Sequence, residues 1–292
     1  MADNFADRLL IAIRRNGAPV CVGIDPSFPK LPAAAKAGGD ELAAIERFSL
    51  GVVEAVAGVV PAVKPQIAYF ERYGAAGVAV CEKVISAARR AGLIVILDAK
   101  RNDIGSTAAE YAAGWLGRED SSDALTVNGY LGADGIQPFL DVAAPAGKGI
   151  FVLVRTSNPS AKTTQDFTDT AGRKYFERMA ELVAGIGEGA GLVGRLGYSC
   201  VGAVVGATYR EEAARLREVM PRQVFLVPGY GAQGATADDC AVCFRGDGQG
   251  AIVNASRSVL YPKDARMAGD WKSAVHDAAV AFAKDVARAS RP

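Results

Sequence analysis

A single histidine, His276, has to serve all 292 residues. That scarcity removes most chemistry built on imidazole, because a Ser-His-Asp relay needs the ring beside its nucleophile and His276 lies far along the chain from every polar motif described below. Cysteine is scarce as well. Cys21, Cys81, Cys200, Cys240 and Cys243 are odd in number and sit among apolar residues, which suits reduced cytosolic thiols rather than a disulfide framework. Cys240-x-x-Cys243 has no second ligand pair, so zinc is not expected there. Neither sign of charge predominates: 33 Lys and Arg face 32 Asp and Glu, for a net charge of +1. Such a balance gives neither nucleic acid nor an anionic membrane a surface built on bulk charge. No apolar run approaches the roughly 18 residues needed to span a bilayer. The stretch from Met1 to Arg15 carries Asp3 and Asp7 and has no basic region followed by a long apolar one, so it does not resemble a secretory leader. A globular cytoplasmic enzyme is the expectation.

What the chain does contain is a regular alternation. Apolar, β-rich runs fall at Val20 to Ile24, Val59 to Lys64, Leu93 to Lys100, Ala124 to Asn128, Ile150 to Thr156, Val201 to Ala207, Val224 to Val227 and Ala251 to Ala255. Alanine-rich amphipathic stretches between them predict helices near 41–58, 72–91, 105–116, 134–144, 171–189, 209–219 and 235–244, with a last one near 270–289. Eight such units argue for an α/β fold of the (β/α)8 TIM barrel type, as one domain over residues 1–292. The longest irregular segment, Ser157 to Gly172, is polar and follows the fifth strand, which favours a functional loop over the barrel mouth.

Active sites of such barrels lie at the C-terminal ends of the strands. Strand 1 ends at Asp25, strand 2 at Lys64, and strand 3 in Asp98-Ala99-Lys100-Arg101-Asn102-Asp103-Ile104. An isolated Asp-x-Lys is usually an ordinary surface ion pair. Here Asp25, Lys64, Asp98 and Lys100 converge on one rim, where each charge costs desolvation unless partnered. Residues two apart on a strand share a face, so Asp98 and Lys100 are expected to project together, with Asp103 in the turn beyond. The loops after strands 7 and 8 are the usual phosphate seat. They read Pro228-Gly229-Tyr230-Gly231-Ala232-Gln233-Gly234 and Asn254-Ala255-Ser256-Arg257; glycines admit an anion to backbone N–H groups and an arginine can grip it in bidentate fashion. By contrast, Gly189-x-Gly191-x-x-Gly194 follows a helical stretch and precedes a strand, the reverse of a dinucleotide-binding context. Asn254-Ala255-Ser256 matches a glycosylation sequon, but a strand end in a cytosolic chain is not where one is used.

Asp98-x-Lys100-x-x-Asp103-Ile104 resembles the signature of the orotidine 5′-monophosphate decarboxylase family, and the other strand ends fall into line with that family from Asp25 to Arg257. The resemblance implies that Lys64, Asp98, Lys100 and Asp103 form a catalytic tetrad of alternating charge. It implies that Asp103, Ile104 and Thr107 are lent to a neighbouring subunit across a homodimer interface. It also implies that Asp25 binds ribose, Ser157 the pyrimidine, and Gln233 and Arg257 the phosphate. Ser256 departs from the family, many members of which have glycine there, and the long loop after strand 5 resembles a longer bacterial branch. On this reading the substrate is a nucleotide, neither cofactor nor metal is needed, and Lys100 meets and protonates the carbanion at C6 of the ring. Two other readings share part of the pattern: a Mg²⁺-dependent sugar-phosphate decarboxylase or aldolase of the same barrel group, and a nucleotide-binding barrel without turnover. Ile104 and Gln233 argue against the first, Asp98 and Lys100 against the second.

Overall fold

Parallel strands that are covered on both faces need apolar side chains on both faces, and the strands of this chain meet that demand. In the computed structural model, which describes residues 3–231 and 234–291, β1 (Val20–Ile24), β2 (Ala62–Pro65), β3 (Ile94–Arg101), β4 (Ala124–Val127), β5 (Gly149–Arg155), β6 (Ser199–Val205), β7 (Gln223–Val227) and β8 (Ala251–Ala255) form a closed parallel barrel in sequence order. Closure comes from β1 pairing with β2 on one side and with β8 on the other, where Cys21 stands opposite Asn254. The fold is the expected (β/α)8 barrel.

The outer layer comprises α1 (Phe5–Asn16), α2 (Glu41–Val56), α3 (Ala68–Glu71), α4 (Gly74–Arg90), α5 (Gly105–Leu116), α6 (Ala133–Ala143), α7 (Ala161–Gln165), α8 (Tyr175–Gly187), α9 (Arg210–Val219), α10 (Ala237–Cys240), α11 (Arg257–Leu260) and α12 (Trp271–Ala289). Four departures from the sequence reading have local causes. Strand 2 begins at Ala62 rather than Val59, because the N–H groups of Val59 and Val60 both turn back to the carbonyl of Val56 at the end of α2. The helix expected at 72–91 forms as α4, but an unexpected turn, α3, precedes it, and the two are parted at Gly74, which has a left-handed conformation. The segment at 235–244 holds only the single turn α10 and a 3-10 turn, Ala241–Cys243. Inside the loop after β5, Ala161–Gln165 forms α7.

Helix α1 was not anticipated from the sequence. Asn4 caps it by accepting from Ala6 N, and Phe5, Leu9 and Leu10 bury one stripe. Phe5 meets Phe151 of β5 edge to face at 5.8 Å, and a Cβ on Gly149 would lie 2.3 Å from the Phe5 ring, so glycine there lets α1 close this end of the barrel. Buried Asp7 accepts from Arg195 N and Leu196 N at 2.9 Å each. The Gly189-x-Gly191-x-x-Gly194 stretch is thus the loop that receives α1, since a Cβ on Gly194 would lie 2.6 Å from the Asp7 carboxylate. His276 sits on α12, with Nδ1 2.9 Å from Ala55 O, away from the C-terminal rim. Among the described residues no helix is long and apolar enough to cross a membrane.

Candidate active site

At the C-terminal ends of the strands lies a cavity of about 570 Å³. Its wall divides by strand. Lys64, Asp98, Thr126 and Asn254 make a polar arc over β2, β3, β4 and β8, while Leu153, Val204 and Leu226 make an apolar arc over β5, β6 and β7. A flat ring with a polar tail fits such a division.

Asp98 is the hub of the polar arc. Its Oδ2 accepts from Lys64 Nζ at 2.7 Å; its Oδ1 accepts from Lys100 Nζ at 2.5 Å and from the Thr126 hydroxyl at 3.0 Å. Burial alone would raise the Asp98 carboxyl, but the ammonium groups of Lys64 and Lys100 outweigh it and hold the group well below the usual carboxylate range. Burial would likewise lower Lys64, but Asp98 and Asp25 overcome it and push that ammonium above its ordinary value. Asp98 and Lys64 are therefore fixed charges near neutrality.

Lys100 reaches this hub differently from what regular strand alternation predicts. The register between β3 and β4 shifts between Leu97 and Arg101. Lys100 itself has φ +48°, the only non-glycine left-handed backbone among the described residues. Thr126 Oγ1 accepts from both Ala99 N (3.0 Å) and Lys100 N (2.9 Å), which pins the irregularity. The bulge turns a half-exposed lysine back over a buried aspartate.

Asp25 follows β1 and lines the cavity, with one carboxylate oxygen buried and unpartnered. Its loop is held by Tyr261, whose hydroxyl accepts from Ser27 N at 2.9 Å and donates to Asp25 O at 3.2 Å. Arg257 opens α11 and lines the cavity on the far side of β8 from Lys64. In the loop after β7, Gly229, Gly231 and Gly234 all take left-handed φ values of 112°, 67° and 89°, a course other residues rarely follow. Gln233 lies outside the described residues. Ser256 is accommodated by Gly23 on the adjacent strand, where a Cβ would lie 2.0 Å from Ser256 Oγ. Ser157 lines the cavity beside Thr156, Asn158 and Gln165, which the sequence reading did not single out.

Behind these, Arg155 is fully buried and pairs with Asp166 (2.8 Å) and Glu212 (2.6 Å), sandwiched between the rings of Phe176 and Tyr209. Gln165 accepts from Thr156 N and donates to its hydroxyl. The loop after β5 is thereby tied to α8 and α9.

Asp103 does not join the charged array within its own chain. Its carboxylate accepts from Ile104 N at 2.8 Å, and Asp103, Ile104 and Thr107 do not line the cavity. Ile104 is 56% exposed and Thr107 is exposed on α5. Asn128 accepts from Tyr130 N and serves its own turn rather than the cavity. Two polar residues on the barrel strands themselves also went unnoticed in sequence: Thr126 and, as a contact to the cavity, Asn254. The available signal was a polar side chain inside an otherwise apolar strand run. Among the described residues no group of three or more His, Cys, Asp or Glu side chains is placed to hold a metal ion.

The sequence model of the Orotidine 5′-phosphate decarboxylase / HUMPS family matches residues 18–270. An orotidine 5′-phosphate decarboxylase of Rhodopirellula baltica is 44% identical, across 94% of this chain and 96% of that protein. One from Deinococcus radiodurans is 43% identical, across 90% and 91%. The solved structure of Leishmania donovani OMP decarboxylase, 30% identical, superposes with a TM-score of 0.79 over 98% of each chain. With a match over most of its length and a charged strand-end array in a (β/α)8 barrel, the chain belongs to the orotidine 5′-phosphate decarboxylase family.

Proposed function

We propose that the protein converts orotidine 5′-monophosphate to uridine 5′-monophosphate and CO2 without a cofactor. The observation that carries this reading is the Lys64–Asp98–Lys100 array, two ammonium groups bridged by one buried carboxylate at the cavity wall. Breaking the bond between C6 and the carboxylate leaves its electron pair on C6, where the ring delocalises it poorly. A fixed positive charge beside that carbon lowers the barrier. Lys100 Nζ supplies the charge and then transfers its proton to C6, while Asp98 and Thr126 hold it in place. The ribose meets Asp25, the pyrimidine Ser157, and the phosphate Arg257 and Gln233. The phosphate provides binding energy remote from the reacting carbon.

The site is completed by a second copy of the chain. Ile104, Tyr111, Tyr130 and Leu131 are exposed large apolar side chains on α5 and on the segments leading into α5 and α6. These helices pack together, and such a patch supports a two-fold interface that carries Asp103, Ile104 and Thr107 into the partner's cavity. A cytoplasmic location is supported by five cysteines that are all buried as free thiols.

The direct test is to add orotidine 5′-monophosphate and follow its absorbance as it becomes that of uridine 5′-monophosphate, before and after exhaustive chelation. Conversion in both samples is expected. A protein inert towards orotidine 5′-monophosphate sinks the reading in favour of a metal-dependent sugar-phosphate enzyme of the same family, and conversion that chelation removes and Mg²⁺ restores overturns its independence of metal.

A further inference from the structure

Asn254 stands where an apolar residue would be the ordinary choice. It is 8% exposed, on β8, two residues after Ile252, which is in register with Leu226 of β7, and on the same face. Its side chain makes no hydrogen bond within the described protein, and its Oδ1 is a buried atom without a partner. Leaving such an amide unsatisfied is costly, and a leucine would remove the cost. Yet the amide lines the cavity.

The neighbourhood defines what would satisfy it. Oδ1 lies 3.4 Å from where a Cβ on Gly23 of β1 would be, at the same glycine that makes room for the Ser256 hydroxyl. Gly23 is in register with Lys64 on β2, and Asp25 follows two residues later with its own unpartnered, buried Oδ1. Lys64 already donates to Asp98. Two buried acceptors without donors thus belong to residues of one cavity wall, a place for hydroxyl groups and not for phosphate, which both oxygens would repel. A hydroxyl also suits the amide in either orientation, because it can donate to Oδ1 or accept from Nδ2.

The order of strands says which part of a ligand lies there. For a nucleotide with its reacting carbon at Lys100 on β3 and its phosphate at Arg257 after β8, the strands between its two ends along the shorter way round the barrel are β2 and β1, with β8 at the phosphate end. What it lays across them is the sugar. Resting on the nucleotide reading above, we infer that Asn254 is a substrate-contacting residue that takes one ribose hydroxyl, paired with Asp25 across the β1–β8 seam, and so selects ribonucleotides.

Titration calorimetry with uridine 5′-monophosphate and its 2′-deoxy and 3′-deoxy analogues, on the wild type and on Asn254→Ala, tests this. The variant should keep its Tm, because the Asn254 side chain makes no hydrogen bond among the described residues. It should bind the ribonucleotide roughly tenfold more weakly, while losing less than about twofold on the one analogue that lacks the hydroxyl Asn254 receives. Equal losses on all three nucleotides, or no loss on any, overturn the inference and leave the nucleotide reading standing. A wild type that binds none of them overturns both.

Discussion

Lys100 shows how much of a site can hang on one backbone angle. At φ +48° its chain adopts a conformation that a residue with a Cβ pays about 1–2 kcal/mol to hold, and two hydrogen bonds to Thr126 hold it. The strain places Nζ on Asp98 instead of leaving it to swing in solvent. Two consequences are separable by experiment. Lys100→Ala should lower kcat by roughly a thousandfold, within the range expected for loss of a proton donor, while uridine 5′-monophosphate still binds; retention of a tenth of wild-type kcat, about 1.4 kcal/mol, removes Lys100 from that role. Lys100→Gly should be equally inactive but about 1 kcal/mol more stable in urea than Lys100→Ala, because glycine relieves the left-handed strain. Equal stabilities would mean that the backbone is not strained in solution.

Among the elements, the loop after β5 is less free than its polar composition suggests. Arg155 carries a charge into the interior, where Asp166 from the loop and Glu212 from α9 neutralise it and Phe176 and Tyr209 cover its faces. Breaking a buried pair by removing one partner is far more costly than never having had it. Arg155→Met should therefore lose about 3 kcal/mol in urea unfolding, with amide exchange rising across Ser157 to Gln165 more than elsewhere. Unchanged stability would show that the cluster is dispensable and that other contacts order the loop.

For the whole molecule, the proposed shared site makes a demand that a single barrel does not meet, since Asp103 does not line the cavity that holds its own Lys100. Lys100→Ala and Asp103→Ala proteins should each be inactive alone. Mixed under conditions where subunits exchange, they should regain activity, because each heterodimer holds one site with both defects and one with neither. Verified exchange by mass without any return of activity would place Asp103 in its own chain's chemistry.

Much of this was legible in the residues themselves. The eight strands stood out because barrel strands are apolar on both faces, and Asp25, Lys64, Asp98 and Lys100 were legible as strand-end charges because a parallel barrel puts all such ends on one rim. Helix α1 was missed because its stripe is short and its purpose, covering the barrel end through Phe5 and Asp7, lies in partners at Gly149 and in the 194–196 loop. Asn254 as part of the cavity wall was missed for a similar reason: an amide in a strand carries no meaning until β8 closes on β1 and sets it beside Gly23. By itself the sequence determined which charges arrive at the rim and in what order, since these follow from strand position and local pattern. Only the tertiary structure decided how they meet, through the bulge that turns Lys100 onto Asp98, the absence of Asp103 from its own chain's cavity wall, and the seam that joins the first strand to the last. Such meetings depend on register and closure between segments far apart in the chain, and no local preference encodes them.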